Sequence, residues 1–192
     1  MATLTNYPTT RLNFHENSEY SNARLIINGT IYYVSKSILG HQSYFFRREF
    51  YVNLVEKCDE TIEGVNDEGC VEFLHLMYQR SGEIKENNVY TILVLAARYD
   101  VQRITHLCEM FLISSNQVEH SDKLKYAQKF GMVGLRIATI RSIDTLDQLK
   151  KCLKEFNSMD ATTSYAISNK AIEIVEKSVP ASPAPPVPPR AN

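Results

Sequence analysis

Long apolar runs, paired cysteine motifs and scattered prolines are all missing from this 192-residue sequence. No apolar stretch approaches the roughly 20 residues that a transmembrane helix needs, so no membrane span is predicted. The residues up to Arg11 are polar and contain no apolar core, which indicates no secretory signal. The four cysteines form no C-x-x-C pair, so a structural zinc site has no local signature. Six of the seven prolines fall between Pro180 and Pro189, which leaves the body of the chain free to form helices.

A strong excess of charge is also missing. Lys and Arg total 21 against 22 for Asp and Glu, and the net charge of −1 argues against a protein that binds nucleic acid through bulk electrostatics. Apolar residues make up 44% of the chain, enough to bury a core in one domain or two small ones. Without a signal sequence, we expect a cytoplasmic or nuclear protein whose cysteines are reduced.

Enzyme signatures are absent as well, since no P-loop, dinucleotide-binding, nucleophile-elbow or H-E-x-x-H pattern occurs. Seven acidic residues stand between Glu56 and Glu72, but a charge run of this kind is typical of a solvated face. His75 could meet Cys70 or Cys108 as a base beside a nucleophile, or those cysteines are small core residues, which is the interpretation that we favour. We therefore predict no catalytic, cofactor-binding or metal-binding residues and no cofactor.

What the sequence does contain begins with a hairpin signal. The β-branched runs Ala23–Ile27 and Thr30–Val34 flank Asn28-Gly29, the turn pair that a two-residue hairpin prefers. A third short strand is predicted at Thr61–Val65, followed by helical patterns that end near Ser114. The order predicts an α+β domain with a small β-sheet capped by a cluster of α-helices.

The remaining segments differ in character. Residues 1–19 are a polar leader, and residues 115–177 show only helical periodicity, which predicts an all-α extension. In its last helix, the predicted apolar face comprises Tyr165, Ser168, Ile172 and Val175. Residues 178–192 form a Pro-rich tail, which we expect to be disordered and of extended polyproline II character.

Residues 20–114 resemble a BTB/POZ domain. Tyr20–Gly29 is similar to the family's opening strand and hairpin, and Tyr33–Leu39 with Ser43-Tyr44-Phe45 is similar to its helical hairpin. Cys70–Tyr78 resembles the helix that follows. Two further blocks are similar to the closing helices: Ile92–Tyr99 and Cys108–Leu112.

The resemblance implies a non-enzymatic module that associates with itself or with another BTB protein. Some family members are adaptors of cullin-RING ubiquitin ligases, and they bind the cullin through a hydrophobic-x-Glu motif after the helical hairpin. Leu54-Val55-Glu56 stands at that position, so Leu54 and Glu56 are candidate cullin-binding residues. Tyr99, at a helix junction that forms the rest of that surface in the family, is a further candidate. The residues 115–177 are similar in placement to the helical extension of such adaptors.

The tail carries a second candidate site. Pro185-Pro186-Val187-Pro188-Pro189-Arg190 reads P-x-x-P-x-R, which resembles an SH3-domain ligand. In a polyproline II helix, Pro185 and Pro188 lie on one edge, and Arg190 can reach an acidic pocket. An alternative function is therefore a structural or signalling scaffold that dimerises and recruits SH3 proteins without a ubiquitin role. No nucleic-acid or membrane partner is expected under either hypothesis.

Overall fold

The computed structural model describes residues 11–155 and 159–178 of the chain. These residues fold into two compact units that divide between Val118 and Glu119. The first unit contains a three-stranded sheet and five α-helices, and the second contains four α-helices. This combination confirms the predicted α+β class. Among the helices described here, none has the length and apolar character that a membrane span requires.

A β-hairpin supplies two of the three strands of the small sheet. Strand β1 (Ala23–Ile27) pairs antiparallel with strand β2 (Thr30–Val34). The connecting residues Asn28 and Gly29 have φ angles of 51° and 81°, and a type I′ turn requires positive φ at both positions. The predicted hairpin is therefore confirmed, including the bounds of both strands.

The third strand lies earlier in the chain than predicted. Strand β3 is Lys57–Glu60, and the strand predicted at Thr61–Val65 is wrong. β3 runs parallel to β1 at the edge of the sheet, and only Cys58 of its four side chains is buried. An edge strand with one buried side chain needs no run of β-branched residues. The sequence pattern therefore indicated a strand at Thr61–Val65, after the observed one. Ile62 instead holds the Asn28 side chain, through its N–H at 2.8 Å and its carbonyl oxygen at 2.9 Å.

Helices make up the rest of the first unit. They are α1 (Lys36–Gln42), α2 (Tyr44–Arg47), a π-helical turn (Arg48–Val52), α3 (Asp67–Met77), α4 (Val89–Arg98) and α5 (Gln102–Ser114). The side chain of Asn66 caps α3 by accepting a hydrogen bond from the N–H of Gly69 at 2.8 Å. Asn88 precedes α4, but its side chain orders the preceding loop, accepting from the N–H of Lys85 and donating to the carbonyl of Glu83.

The core of the first unit is an aromatic cluster surrounded by aliphatic side chains. The ring of Tyr99 lies 4.5 Å from that of Phe46 and 5.9 Å from that of Phe73, centroid to centroid, and all three are fully buried. Other large, fully buried side chains are Leu25, Tyr32, Leu39, Leu74, Met77, Ile92, Leu93, Leu95 and Ile104. Each such side chain contributes about 1.5–3 kcal/mol through burial, so the cluster holds the attached loops in place.

The segment before the hairpin packs on the same unit. Phe14 is buried, and its ring meets those of His75 and Tyr78 edge-on, with the centroids 5.1 Å apart in each case. The carbonyl oxygen of Phe14 accepts a hydrogen bond from the N–H of Tyr33 at 2.7 Å. Because Tyr33 belongs to β2, at the other edge of the sheet from β3, this contact fixes the segment along the β2 edge.

The second unit consists of α6 (His120–Lys129), α7 (Val133–Arg141), α8 (Leu146–Glu155) and α9 (Ala161–Ser178). Its core comprises Leu124, Ile140, Ile143, Leu149, Cys152, Ile167 and Ile174. The side chain of Thr145 accepts a hydrogen bond from the N–H of Gln148, whose own side chain accepts from the N–H groups of Asp144 and Thr145. This reciprocal pair fixes the start of α8.

Helix α9 is present where the periodicity predicts it, but the predicted inward face is wrong. Tyr165, Ile172 and Val175 are 70%, 57% and 46% exposed, whereas Ile167 and Ile174 are buried. α9 is apolar on two sides, and both sets of side chains repeat at helical spacing. Periodicity identifies such a helix without showing which side faces the core.

Candidate protein-interaction surface

Leu54 is the most exposed large apolar side chain in the loop between the π-helical turn and β3. It is 75% exposed, and its φ angle is +55°. Residues other than glycine rarely adopt this left-handed conformation, which costs of order 1–3 kcal/mol and persists where the surrounding structure imposes it. A strained backbone that displays an apolar side chain to solvent is typical of a binding site.

The residues on either side of Leu54 hold its backbone. The N–H of Asn53 donates to the carbonyl of Arg48 at 2.9 Å, and the N–H of Val55 donates to the carbonyl of Glu49 at 3.1 Å. The Asn53 side chain also donates to the Glu49 carboxylate at 3.0 Å, and Arg48 donates to it at 3.1 Å. These hydrogen bonds, led by that from Asn53, hold the pKa of Glu49 below its ordinary value. The loop is therefore an ordered turn with its charges paired.

Glu56 follows at the point where the chain joins the sheet. Its carbonyl oxygen accepts a hydrogen bond from the N–H of Arg24 in β1 at 3.0 Å, so its backbone position is fixed. Its side chain is exposed and lines a polar cavity of about 270 Å³ together with Arg24 and Tyr33. Leu54 and Glu56 thus stand two residues apart on a rigid loop, both with exposed side chains.

Tyr99 has a different position from the other two candidates. Its side chain is completely buried against Phe45, Phe46 and Phe73, so it has no surface to offer a partner. Burial raises the pKa of its phenol, whose hydroxyl has no hydrogen-bond partner among the described residues. Its carbonyl oxygen accepts a hydrogen bond from the Ser43 hydroxyl at 2.5 Å. The structure therefore places Tyr99 as a residue that ties α4 to the start of α2.

Three exposed apolar side chains near Leu54 were not among the candidates from the sequence. Tyr44, Tyr51 and Val52 are 67%, 53% and 71% exposed. They belong to an aromatic run whose other members Phe46 and Phe50 are buried. The helical spacing of the two buried phenylalanines, four residues apart, is the signal that separates the inner face from the outer one.

Two arginines lie near the partly buried ring of Phe45. The guanidinium groups of Arg48 and Arg98 stand 5.9 and 5.8 Å from the ring centroid. Arg98 also donates to the Glu60 carboxylate at 2.6 Å, and this ion pair raises the pKa of the guanidinium. The surface beside the Leu54 loop therefore carries paired charges around an aromatic side chain.

The remaining candidates and residue classes have simpler outcomes. Pro185, Pro188 and Arg190 lie outside the residues that the structure describes. The four cysteines are buried and none is in a disulfide, and burial raises the pKa of the Cys108 thiol to about 12. In the described part of the chain, His, Cys, Asp and Glu side chains form no group of three or more that could hold a metal ion.

Comparison with known proteins adds three kinds of finding. The sequence model of the family described as "BTB/POZ domain" matches residues 12–116. The chain is 29% identical to BTB and MATH domain-containing protein 36 of Caenorhabditis elegans over 156 residues, which cover 79% of this chain and 49% of that protein. It is 30% identical to protein 38 of the same series over 155 residues, 79% of this chain and 40% of that protein.

Human Kelch repeat and BTB domain-containing protein 3 is 25% identical over 171 residues, which cover 88% of this chain and 27% of the human protein. The chain therefore spans half or less of the length of these relatives. Among solved structures, the BTB domain of human gigaxonin matches with a TM-score of 0.41 and 22% identity, covering 48% of this chain and 77% of that one.

Proposed function

Because this chain belongs to the BTB/POZ family, whose domain is a non-catalytic protein–protein interaction module, we propose that it is a non-enzymatic adaptor. The adaptor associates with itself through the BTB domain and links a cullin-RING ubiquitin ligase to other proteins. We place it in the cytoplasm or nucleus, where cysteines outside disulfides stay reduced.

The observation that carries the cullin proposal is the conformation of Leu54. An exposed leucine with φ of +55° contributes nothing to the core and strains the backbone, so folding alone does not account for it. Insertion of this side chain into an apolar pocket of a partner would account for both features. Glu56, exposed and anchored through its backbone, supplies a carboxylate beside it. Tyr99 contributes only by holding the adjacent helices.

A pull-down with the amino-terminal domain of the family's cullin tests the site. We choose Leu54→Gly because glycine accepts positive φ, so the variant keeps the loop and removes only the side chain. Loss of a central apolar anchor costs 1–2 kcal/mol or more, so we expect cullin affinity to fall by about tenfold or more. Glu56→Gln should weaken binding by a smaller factor.

The matched control is Ile31→Ala, which shortens an exposed apolar side chain on β2. This variant should bind the cullin as the wild type does. Equal recovery of the wild type and Leu54→Gly would reject the assigned site. Failure of the wild type to bind would reject the adaptor role and favour the rival function.

That rival is a dimeric scaffold that recruits SH3 proteins through Pro185, Pro188 and Arg190. It rests on the P-x-x-P-x-R pattern, in which Arg190 is the only charged side chain after Lys177. The same pull-down distinguishes the two functions when SH3 domains replace the cullin as bait. A scaffold binds the SH3 bait through an intact tail and leaves the cullin unbound.

A further inference from the structure

A small apolar cavity lies beneath the segment that precedes the hairpin. Its volume is about 210 Å³, and its apolar walls are Leu12, Phe14, Tyr20, Tyr33 and Tyr78. Pockets that enclose a drug-sized molecule usually measure about 300–1,000 Å³. This cavity is too small for such a ligand, and its size suits one or two residues inserted by a longer chain.

The walls are aromatic and firmly supported. The rings of Phe14 and Tyr78 pack edge-on, and the hydroxyl of Tyr78 accepts a hydrogen bond from the N–H of Ser35 at 2.6 Å. Tyr33 is tied to Phe14 through the backbone hydrogen bond described above. Tyr20 is the outermost wall, with 76% of its surface exposed. Three tyrosines and a phenylalanine thus surround a cavity that opens to solvent.

The mouth of the cavity is polar and carries a carboxylate. Glu16 is one of its lining residues, and Glu19 is hydrogen-bonded to the Tyr20 hydroxyl, which raises the pKa of that phenol. The polar 270 Å³ cavity adjoins it and shares Tyr33 as a wall. That second cavity holds Glu56 as well as the opposing charge of Arg24. The carboxylates therefore outnumber the guanidinium around the two openings.

We propose that this pair of cavities binds a proline-rich segment with a basic side chain, held in polyproline II conformation. Aromatic walls are the surfaces against which polyproline II ligands pack their prolines, because the rings are flat and the ligand loses little entropy. The prolyl residues enter the aromatic cavity, and the basic side chain reaches the acidic rim. Such a ligand exposes unpaired backbone carbonyls, and the side-chain amide of Asn17 at the mouth is a suitable donor.

The chain itself carries a segment of this chemistry. Pro185–Arg190 contains four prolines, two of them in a P-x-x-P spacing, and ends on a single arginine. The proposal makes no use of Leu54 and does not depend on the cullin role. A peptide of residues 183–192 is therefore a suitable probe for the site.

The test is a titration of this peptide, fluorescently labelled, into the full chain. The receptor carries Pro188→Ala and Arg190→Glu so that its own tail does not compete. We expect saturable binding with a dissociation constant below about 1 mM. Tyr20→Ala and the pair Glu16→Lys, Glu19→Lys should each weaken binding about fivefold or more. Because all three side chains are exposed, these variants should keep the fold, which circular dichroism checks.

Two controls complete the design. Ile172→Ala changes an exposed side chain of α9 that lines neither cavity, and it should leave peptide binding unchanged. A peptide with Arg190→Glu should bind at least about fivefold more weakly than the natural sequence. Absence of saturable binding, or equal affinity for the wild-type site and Tyr20→Ala, would overturn the proposal. A cullin pull-down on the same samples reports separately on the function proposed above.

Discussion

At the scale of single residues, His75 is a titratable side chain enclosed in the first unit. It is 1% exposed, and neither ring nitrogen has a hydrogen-bond partner among the described residues. Burial, and then the charge of Arg11, lower the pKa of its imidazole, and Arg80 acts in the same direction. Glu72 is the opposing influence. The folded protein therefore keeps His75 neutral at a pH at which the unfolded chain protonates it.

The sign of the resulting pH dependence follows from proton binding. The unfolded state takes up a proton near pH 6.5, so the free energy of unfolding should fall as the pH drops below about 6.5 and level off below the folded pKa. The slope from one group is at most about 1.4 kcal/mol per pH unit. Urea unfolding between pH 7.5 and 5.0 measures it.

His75→Phe should reduce this slope, because phenylalanine fits the edge-on contact with Phe14 and takes up no proton. A residual slope is expected from His120, since burial also lowers its pKa. The same slope in His75→Phe as in the wild type would show that His75 does not control acid sensitivity.

Only part of the candidate site can be predicted from the sequence. The resemblance to BTB adaptors selects Leu54 and Glu56, since they match the family's hydrophobic-x-Glu motif after the helical hairpin. The positive φ of Leu54 is not readable, since it arises from hydrogen bonds of Asn53 and Val55 to the preceding π-helical turn. Tyr99 was selected by position as well, but its burial depends on packing against three aromatic rings from other elements.

At the scale of elements, a strand or helix can be predicted when the residues that determine it are neighbours in the sequence. The hairpin was predicted to the residue because Asn28-Gly29 encodes its own turn. Strand β3 is held by backbone pairing with β1, 33 residues earlier (Arg24 opposite Lys57), and only one of its side chains is buried. Backbone pairing with so distant a strand leaves no pattern in the residues of β3 themselves. For α9, the apolar periodicity predicts the helix but does not show which of its sides faces the core.

The two faces of α9 allow a matched test of that orientation. Ile167→Ala removes a fully buried side chain and should lower the free energy of unfolding of the second unit by about 2–4 kcal/mol. Ile172→Ala makes the same chemical change on the exposed face and should cost less than about 0.5 kcal/mol. Urea denaturation followed by circular dichroism measures both. If Ile172→Ala proved as destabilising as Ile167→Ala, the outer face of α9 would be buried in solution.

At the scale of the whole molecule, the first unit exposes more large apolar side chains than its fold needs. Tyr44, Tyr51 and Val52 are each more than half exposed and lie within nine consecutive residues, apart from the Leu54 side chain that the cullin proposal uses. Isolated exposed apolar side chains are ordinary, but a sequence-contiguous group on two short helical turns is typical of a surface that a partner covers. In a BTB/POZ domain, self-association is the proposal that this surface supports.

Self-association predicts a mass and a thermal midpoint that depend on concentration. A stable interface buries about 1,200–2,000 Å², so sedimentation equilibrium at micromolar concentration should give twice the monomer mass of 22.0 kDa. Because only the folded state associates, the unfolding temperature should rise as the protein concentration increases. Val52→Asp, a charge on an exposed side chain, tests whether this surface is the interface, and Ile172→Asp on α9 is its control. Sedimentation at 22.0 kDa throughout, with a constant unfolding temperature, would show that the chain is a monomer and that its apolar surface serves a different partner.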